Sequence, residues 1–348
     1  MRSRRYRSRP PRRRRRRRLT RSSWPLIGLA MAAAAAAAAM GVLARRRRDA
    51  DAEDDSWPLA SASASPLPEA GAAAGGAAGG PGGEREPVEP VQLWIAGPAG
   101  NLYVRDGGEG AGRGLPVLFV HGLGGNGGQW ALQLDDLRGR RRALALDLRG
   151  HGDSDPAEDG AYDVPSLARD VAAVADHFAL RRFVLAGHSL GAAVAIAYAA
   201  DHPQRVAGLL LVDANGDQTR IPRRQIEPFL AALRAEPLDE LAAYYRQLAA
   251  GGDREAARWV LEDLRLTHPD AVAAAVAAAL EFAPLPALAR YGGPRLAVIS
   301  DANNLPYSLH QLLPELPVEL VRGTGHWLMM DRPEAFNRIL EAFVSQVS

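Results

Sequence analysis

The chain has 348 residues, 47% of them hydrophobic, which is enough apolar material for one large core or two modest ones. It contains no cysteine, which excludes disulfides, a lipid-modified cysteine and a cysteine-based metal site. The formal charge of +2 hides a division: residues 1–48 hold 17 of the 42 basic residues, all arginine, and no acid, leaving 25 arginines against 40 acids in an acidic remainder that is unsuited to a nucleic-acid substrate.

In chain order, residues 1–21 are too rich in arginine to pack a core and read as a disordered tail. Residues 22–44 are uncharged and mostly alanine, with Trp24, Leu26, Ile27, Leu29 and Val42 among them, and are long enough to span a bilayer as one helix. Thirteen arginines precede this run and four follow it. That asymmetry predicts a membrane anchor with the N-terminus inside and the remainder on the non-cytoplasmic side. A cleaved export signal and a soluble, mis-assigned leader are the alternatives, and binding of the arginine tail to nucleic acid or anionic lipid is a third use of the same charge. Residues 45–90 pass from charged to Ala-, Ser-, Pro- and Gly-rich and predict a flexible linker.

From residue 91 onward, short β-branched and Leu-rich runs alternate with helical stretches, the pattern of a mostly parallel sheet with crossover helices. Strands are predicted over 91–95 and 102–105 as an opening hairpin, then over 117–120, 143–146, 183–186, 209–212, 296–299 and 318–321. Helices are predicted over 165–179, 190–200 and 332–346. The interval 219–290 interrupts the alternation with Ala-rich helical sequence and six prolines, and predicts a helical lid inserted over the sheet.

The sharpest chemical signal is Gly187-His188-Ser189-Leu190-Gly191, lying between a predicted buried strand and a predicted helix. A serine on such a strand-to-helix turn has its hydroxyl raised above the sheet, and glycines stand where a β-carbon would clash. Acyl transfer at that serine needs two N–H donors for the developing oxyanion. The backbone amide of Leu190 supplies one. The second is assigned to the amide of Leu123, in the loop His121-Gly122-Leu123-Gly124-Gly125 that follows the strand over 117–120. His121 is read as a loop-fixing hydrogen-bond donor.

A third motif, Asp147-Leu148-Arg149-Gly150-His151-Gly152-Asp153-Ser154, follows the strand over 143–146, and Gly325-His326-Trp327 follows the last strand. Together with the elbow and the glycine loop, these motifs make residues 91–348 resemble the α/β-hydrolase superfamily, in its lid-bearing serine esterase and lipase-like branch. The resemblance implies an eight-stranded, mostly parallel sheet flanked by helices, with a structural role for Asp147, Arg149 and His151.

It also implies that His326, after the last strand and beside a glycine, is the general base. The acid's usual place in the family is the turn after the strand over 296–299, and there this chain carries Asn303. Asp213, at the end of the preceding strand, is favoured as the acid over Asp301, with Asp217 third.

The resulting expectation is a hydrolase that cleaves a small hydrophobic carboxylic ester, or a related acyl bond, through Ser189, His326 and Asp213 and an acyl-enzyme. Neither cofactor nor metal is needed for it. Perhydrolase and C–C-bond hydrolase chemistry share the same residues, and a non-catalytic binding protein on this scaffold is the contrasting class.

Overall fold

A computed structural model describes residues 90–108 and 114–348. The tail, the apolar run and nearly all of the linker expected over 1–90 lie outside the described residues. The membrane-anchored location inferred for residues 22–44 is corrected here. No helix of the described residues is long and apolar enough to cross a membrane, and 22–44 itself is not among them. The weakness of that inference is physical, because alanine contributes little hydrophobic free energy to a spanning helix.

Eight strands form one sheet: β1 (Val91–Gly97), β2 (Gly100–Asp106), β3 (Val117–Val120), β4 (Ala143–Leu146), β5 (Phe183–His188), β6 (Val206–Val212), β7 (Arg295–Ser300) and β8 (Val318–Val321). Their spatial order is β1-β2-β4-β3-β5-β6-β7-β8. The opening hairpin pairs antiparallel within itself and with β4, and every later pairing is parallel. Central strands covered on both faces need apolar side chains at every position, which is why β3, β4 and β6 are uninterrupted Val, Leu, Ala and Phe apart from Gly208.

Alternate side chains feed two apolar layers. Leu118, Val120, Leu144, Leu185, Leu209 and Leu211 face α2 (Val164–His177) and α3 (Leu190–Asp201). Val117, Phe119, Ala145, Val184, Leu210 and Val298 face α1 (Ala131–Leu137) and the C-terminal helix α11 (Pro333–Val347). Helix α2 starts where Asp163 accepts the Ser166 N–H, an N-cap that removes one of the helix's unpaired donors.

Between β6 and β7 the chain leaves the sheet for five helices: α4 (Arg223–Ala235), α5 (Pro237–Leu248), α6 (Arg254–Asp263), α7 (Pro269–Glu281) and α8 (Pro284–Ala289). Proline opens α5, α7 and α8, where its missing N–H costs nothing. Leu233, Leu241, Val260, Val272 and Leu280 bury the inner face of this insert against the second layer. The short helices α9 (Leu309–Leu312) and α10 (Leu328–Asp331) complete the fold.

Candidate active site

Strand β5 ends in the turn that carries Ser189. Its backbone is held at φ 53° and ψ −115°, a conformation that L residues avoid unless their surroundings enforce it. The enforcing contacts are close approaches of main chain. A β-carbon at Gly187 would strike the carbonyl of Gly191, and one at Gly191 would strike the carbonyls of Val120 and His121. Any larger residue at either position would force main chain to shift. Leu190 opens α3, so its N–H has no partner within the helix, and the positive end of the helix lies under the serine.

The loop after β3 meets this turn directly, since a β-carbon on Gly122 would lie 3.1 Å from Cβ of Ser189. His121 fixes the loop. Its Nε2 accepts the Leu148 N–H at 3.0 Å, so Nδ1 carries the proton that is donated to the Gly122 carbonyl at 2.7 Å. Burial, reinforced by the neighbouring His151 charge, holds His121 well below the usual histidine range, so the ring stays neutral. Among the described residues neither the Leu123 nor the Leu190 N–H enters a turn or loop bond, and both residues border the cleft.

Asp147 is buried and accepts from Arg105, the Gly127 N–H and the Asp153 N–H. Arg149 forms a buried ion pair with Asp170, with 2.6 Å between Nη2 and Oδ1. His151 bonds the Arg149 carbonyl. All three hold the loop after β4, away from the cleft lining.

His326 and Asp213 meet across 113 residues of sequence, with 2.6 Å between Nδ1 and Asp213 Oδ2. Asp213, at the end of β6, has φ 43°, which turns its carboxylate under the base loop. That carboxylate is saturated: Oδ1 accepts the Ser300 N–H at 2.8 Å and Asn303 Nδ2 at 3.1 Å, and Oδ2 accepts the Ser300 hydroxyl at 3.1 Å. Burial alone would raise its pKa. The hydrogen bond and charge of His326, with the Ser300 and Asn303 donors, outweigh burial and hold it below the usual carboxylate range.

Asn303 stands where the family pattern expects the acid, and it donates to Asp213 instead. Asp301 points elsewhere, accepting the Gly323 N–H at 2.9 Å and lying near Arg322. Asp217 closes its own turn on Thr219 and Arg220.

Ser189 and His326 line one cleft of about 500 Å³, counting the space open at its mouth. The Ser189 hydroxyl is turned toward Asn215, 3.4 Å from Oδ1, and among the described residues no hydrogen bond joins it to the imidazole. The insert supplies much of the wall through Phe229, Leu241, Tyr244, Tyr245, Leu248 and Leu280, while Asn215 and Gln218 are the polar exceptions.

Two site-adjacent groups escaped sequence reasoning. His188 is buried and its Nε2 donates to the His326 carbonyl at 3.0 Å, so the histidine next to Ser189 braces the loop that carries His326. Burial, with the nearby His326 charge, pushes it down to about 3, which keeps it neutral. Asn215 is the other, and no motif marks it.

The chain matches the model of the alpha/beta hydrolase family over residues 117–339, and it belongs to that family. It is 32% identical over 269 residues to the dihydrolipoyllysine-residue acetyltransferase component of the acetoin cleaving system of Pseudomonas putida, covering 68% of this chain and 65% of that one. This chain thus spans just under two thirds of that relative. It is 27% identical over 257 residues to the sn-1-specific diacylglycerol lipase ABHD11 of Mus musculus, covering 66% of this chain and 80% of the lipase. Among solved structures, a thermophilic esterase from Thermogutta terrifontis superposes with a TM-score of 0.63 at 25% identity, covering 74% of this chain and 99% of the esterase.

Proposed function

We propose that the chain is a serine hydrolase that cleaves a carboxylic ester with a hydrophobic acyl or alkyl part, and that residues 91–348 form the catalytic unit with the 219–290 insert as its roof. The observation that carries the reading is the 2.6 Å bond between Asp213 and His326, in the same cleft as a serine held in the elbow conformation. Ser189 turns from Asn215 toward His326 Nε2, loses its proton to that nitrogen and attacks the ester carbonyl. The Leu123 and Leu190 amides donate to the oxygen as it gains charge. The tetrahedral adduct expels the alcohol, which takes the proton from His326. Water then attacks the acyl-enzyme with His326 again as base, releasing the acid and free Ser189. Asp213 keeps the Nδ1 proton in place and balances the imidazolium.

The esterase and lipase relatives support the ester assignment, and the apolar cleft wall supports a hydrophobic substrate. The test is to treat the full chain with a fluorophosphonate and to assay p-nitrophenyl esters of graded chain length. Labelling at Ser189, with hydrolysis abolished in Ser189→Ala, is the expected result. A folded wild-type protein that is neither labelled nor active on any ester would overturn the proposal.

A further inference from the structure

The insert touches both halves of the site through one helix. Near the C-terminal end of α5, the Tyr245 hydroxyl donates to the carbonyl of Leu123, a residue of the cleft lining whose amide is the second oxyanion donor of the proposal. One turn later the carbonyl of Leu248 accepts the backbone N–H of His326 at 3.0 Å. Leu248 belongs to the last turn of α5, whose carbonyls have no partner within the helix, so the base loop satisfies an acceptor that would otherwise be stranded. The approach is tight, because a β-carbon on Gly325 would sit 2.9 Å from the Leu248 oxygen.

Asp331 adds a staple beyond the helix. Its Oδ2 accepts the Gly325 N–H at 2.7 Å and its Oδ1 accepts the Asp253 N–H at 2.8 Å, joining the base loop to the turn after α5. Tyr245 also packs edge-on against Trp327, the residue after the base, at 4.8 Å between ring centroids.

We infer that α5 is a fixed clamp that sets the oxyanion loop and the base loop in register with each other, with Tyr245 as the positioning residue for the Leu123 donor. The inference rests on the acyl-transfer reading above and adds to it a part for the insert. A roof that merely covered the cleft would need only apolar contacts. Here polar bonds tie it to the backbone on both sides of the nucleophile, so α5 cannot swing open without loosening the oxyanion loop and the base together.

The test uses the full chain, with active sites counted by fluorophosphonate so that rates refer to competent molecules. Losing an oxyanion donor outright costs roughly a hundredfold or more in kcat, and loosening one costs less. Tyr245→Phe is therefore expected to lower kcat by about tenfold with KM unchanged. It is also expected to weaken a trifluoromethyl ketone inhibitor, whose adduct places an oxyanion at the same two amides, by the same factor as kcat/KM. A merely structural role would reduce the count of active sites and leave the inhibitor's affinity unchanged. Tyr198→Phe, which removes a buried tyrosine hydroxyl that has no hydrogen-bond partner among the described residues and is not in the cleft lining, is the matched control.

Asp331→Asn probes the other side and is expected to slow phosphonylation of Ser189 by about tenfold; it decides the matter if Tyr245→Phe does not fold. Wild-type inhibitor affinity in Tyr245→Phe, or wild-type labelling in Asp331→Asn when the tyrosine variant cannot be studied, overturns the clamp. Failure of the wild-type chain to be labelled overturns the hydrolase reading itself.

Discussion

Replacing Asn303 by aspartate would restore the residue that the family pattern expects, yet the structure predicts harm. Asn303 Nδ2 donates to Asp213 Oδ1 at 3.1 Å and to the Ala214 carbonyl at 3.0 Å, while its Oδ1 accepts the Ser308 hydroxyl at 2.9 Å. In Asn303→Asp, an ionised carboxylate would set an oxygen against two acceptors, one of them already charged. Two unit charges about 3 Å apart at an effective dielectric constant of about 20 repel by about 5 kcal/mol, which is between three and four factors of ten in the ionisation equilibrium. The pair will therefore hold a proton well above the ordinary carboxylate range.

While protonated, the new group can donate to Asp213 as asparagine does, and the site works. As that proton leaves, the carboxylates push apart and His326 loses its alignment. The ratio of variant to wild-type kcat/KM is therefore expected to fall as pH rises from about 5 to about 9, with the melting temperature falling in parallel. Using the ratio removes the pH dependence that both proteins share. A ratio that stays flat across the range would refute the reasoning.

Two further outcomes follow from the packing and from the buried histidines. Gly191→Ala lies in the first turn of α3, where propensity alone predicts a gain of about 1 kcal/mol; the collision with the Val120 and His121 carbonyls instead predicts a loss of about 1–3 kcal/mol, measurable by urea denaturation. His121, His151 and His188 are buried and held below the ordinary histidine value of 6.5, His151 at about 4 and His188 at about 3. The unfolded chain takes up these protons first, so the stability they confer is complete above pH 6.5 and is lost as pH falls toward those lower values. Between pH 7 and about pH 5 the loss is on the order of 2 kcal/mol for each of the His151 and His188 rings, and a urea midpoint that does not move over that interval would contradict it. Asp147 and Asp170, raised by burial, act in the opposite sense at lower pH, which is the reason for stopping near 5.

The central strands were legible because a sheet covered on both faces demands unbroken apolar runs, and β3 and β4 begin and end where those runs do. The elbow was legible because its two glycines answer a backbone collision, a local cause with a local signature. The carboxylate that meets His326 was less so. A strand-end aspartate becomes a partner of His326 only through a left-handed φ at Asp213 and a turn that brings Ser300 and Asn303 under it, and neither leaves a mark in composition. Within the insert, Pro237, Pro269 and Pro284 mark helix starts, but Pro228 lies inside α4, so proline spacing alone misplaces the boundaries. Tyr245 reads as one more apolar aromatic. Its bond to Leu123 spans 122 residues, and no local pattern encodes a contact of that range.

The proposed pairing of a mid-chain nucleophile with a base contributed after strand β8 has a consequence for synthesis. Ser189 leaves the ribosome well before His326 does, and the turn that bears it can form once β5 and α3 have packed. If Ser189 and His326 act as proposed, the hydroxyl remains an ordinary alcohol until β8 docks on β7 and brings its following loop round to Asp213. On the acyl-transfer reading, a nascent chain or one cut before β8 is expected to be chemically silent, with reactivity switching on only with closure of the last edge of the sheet.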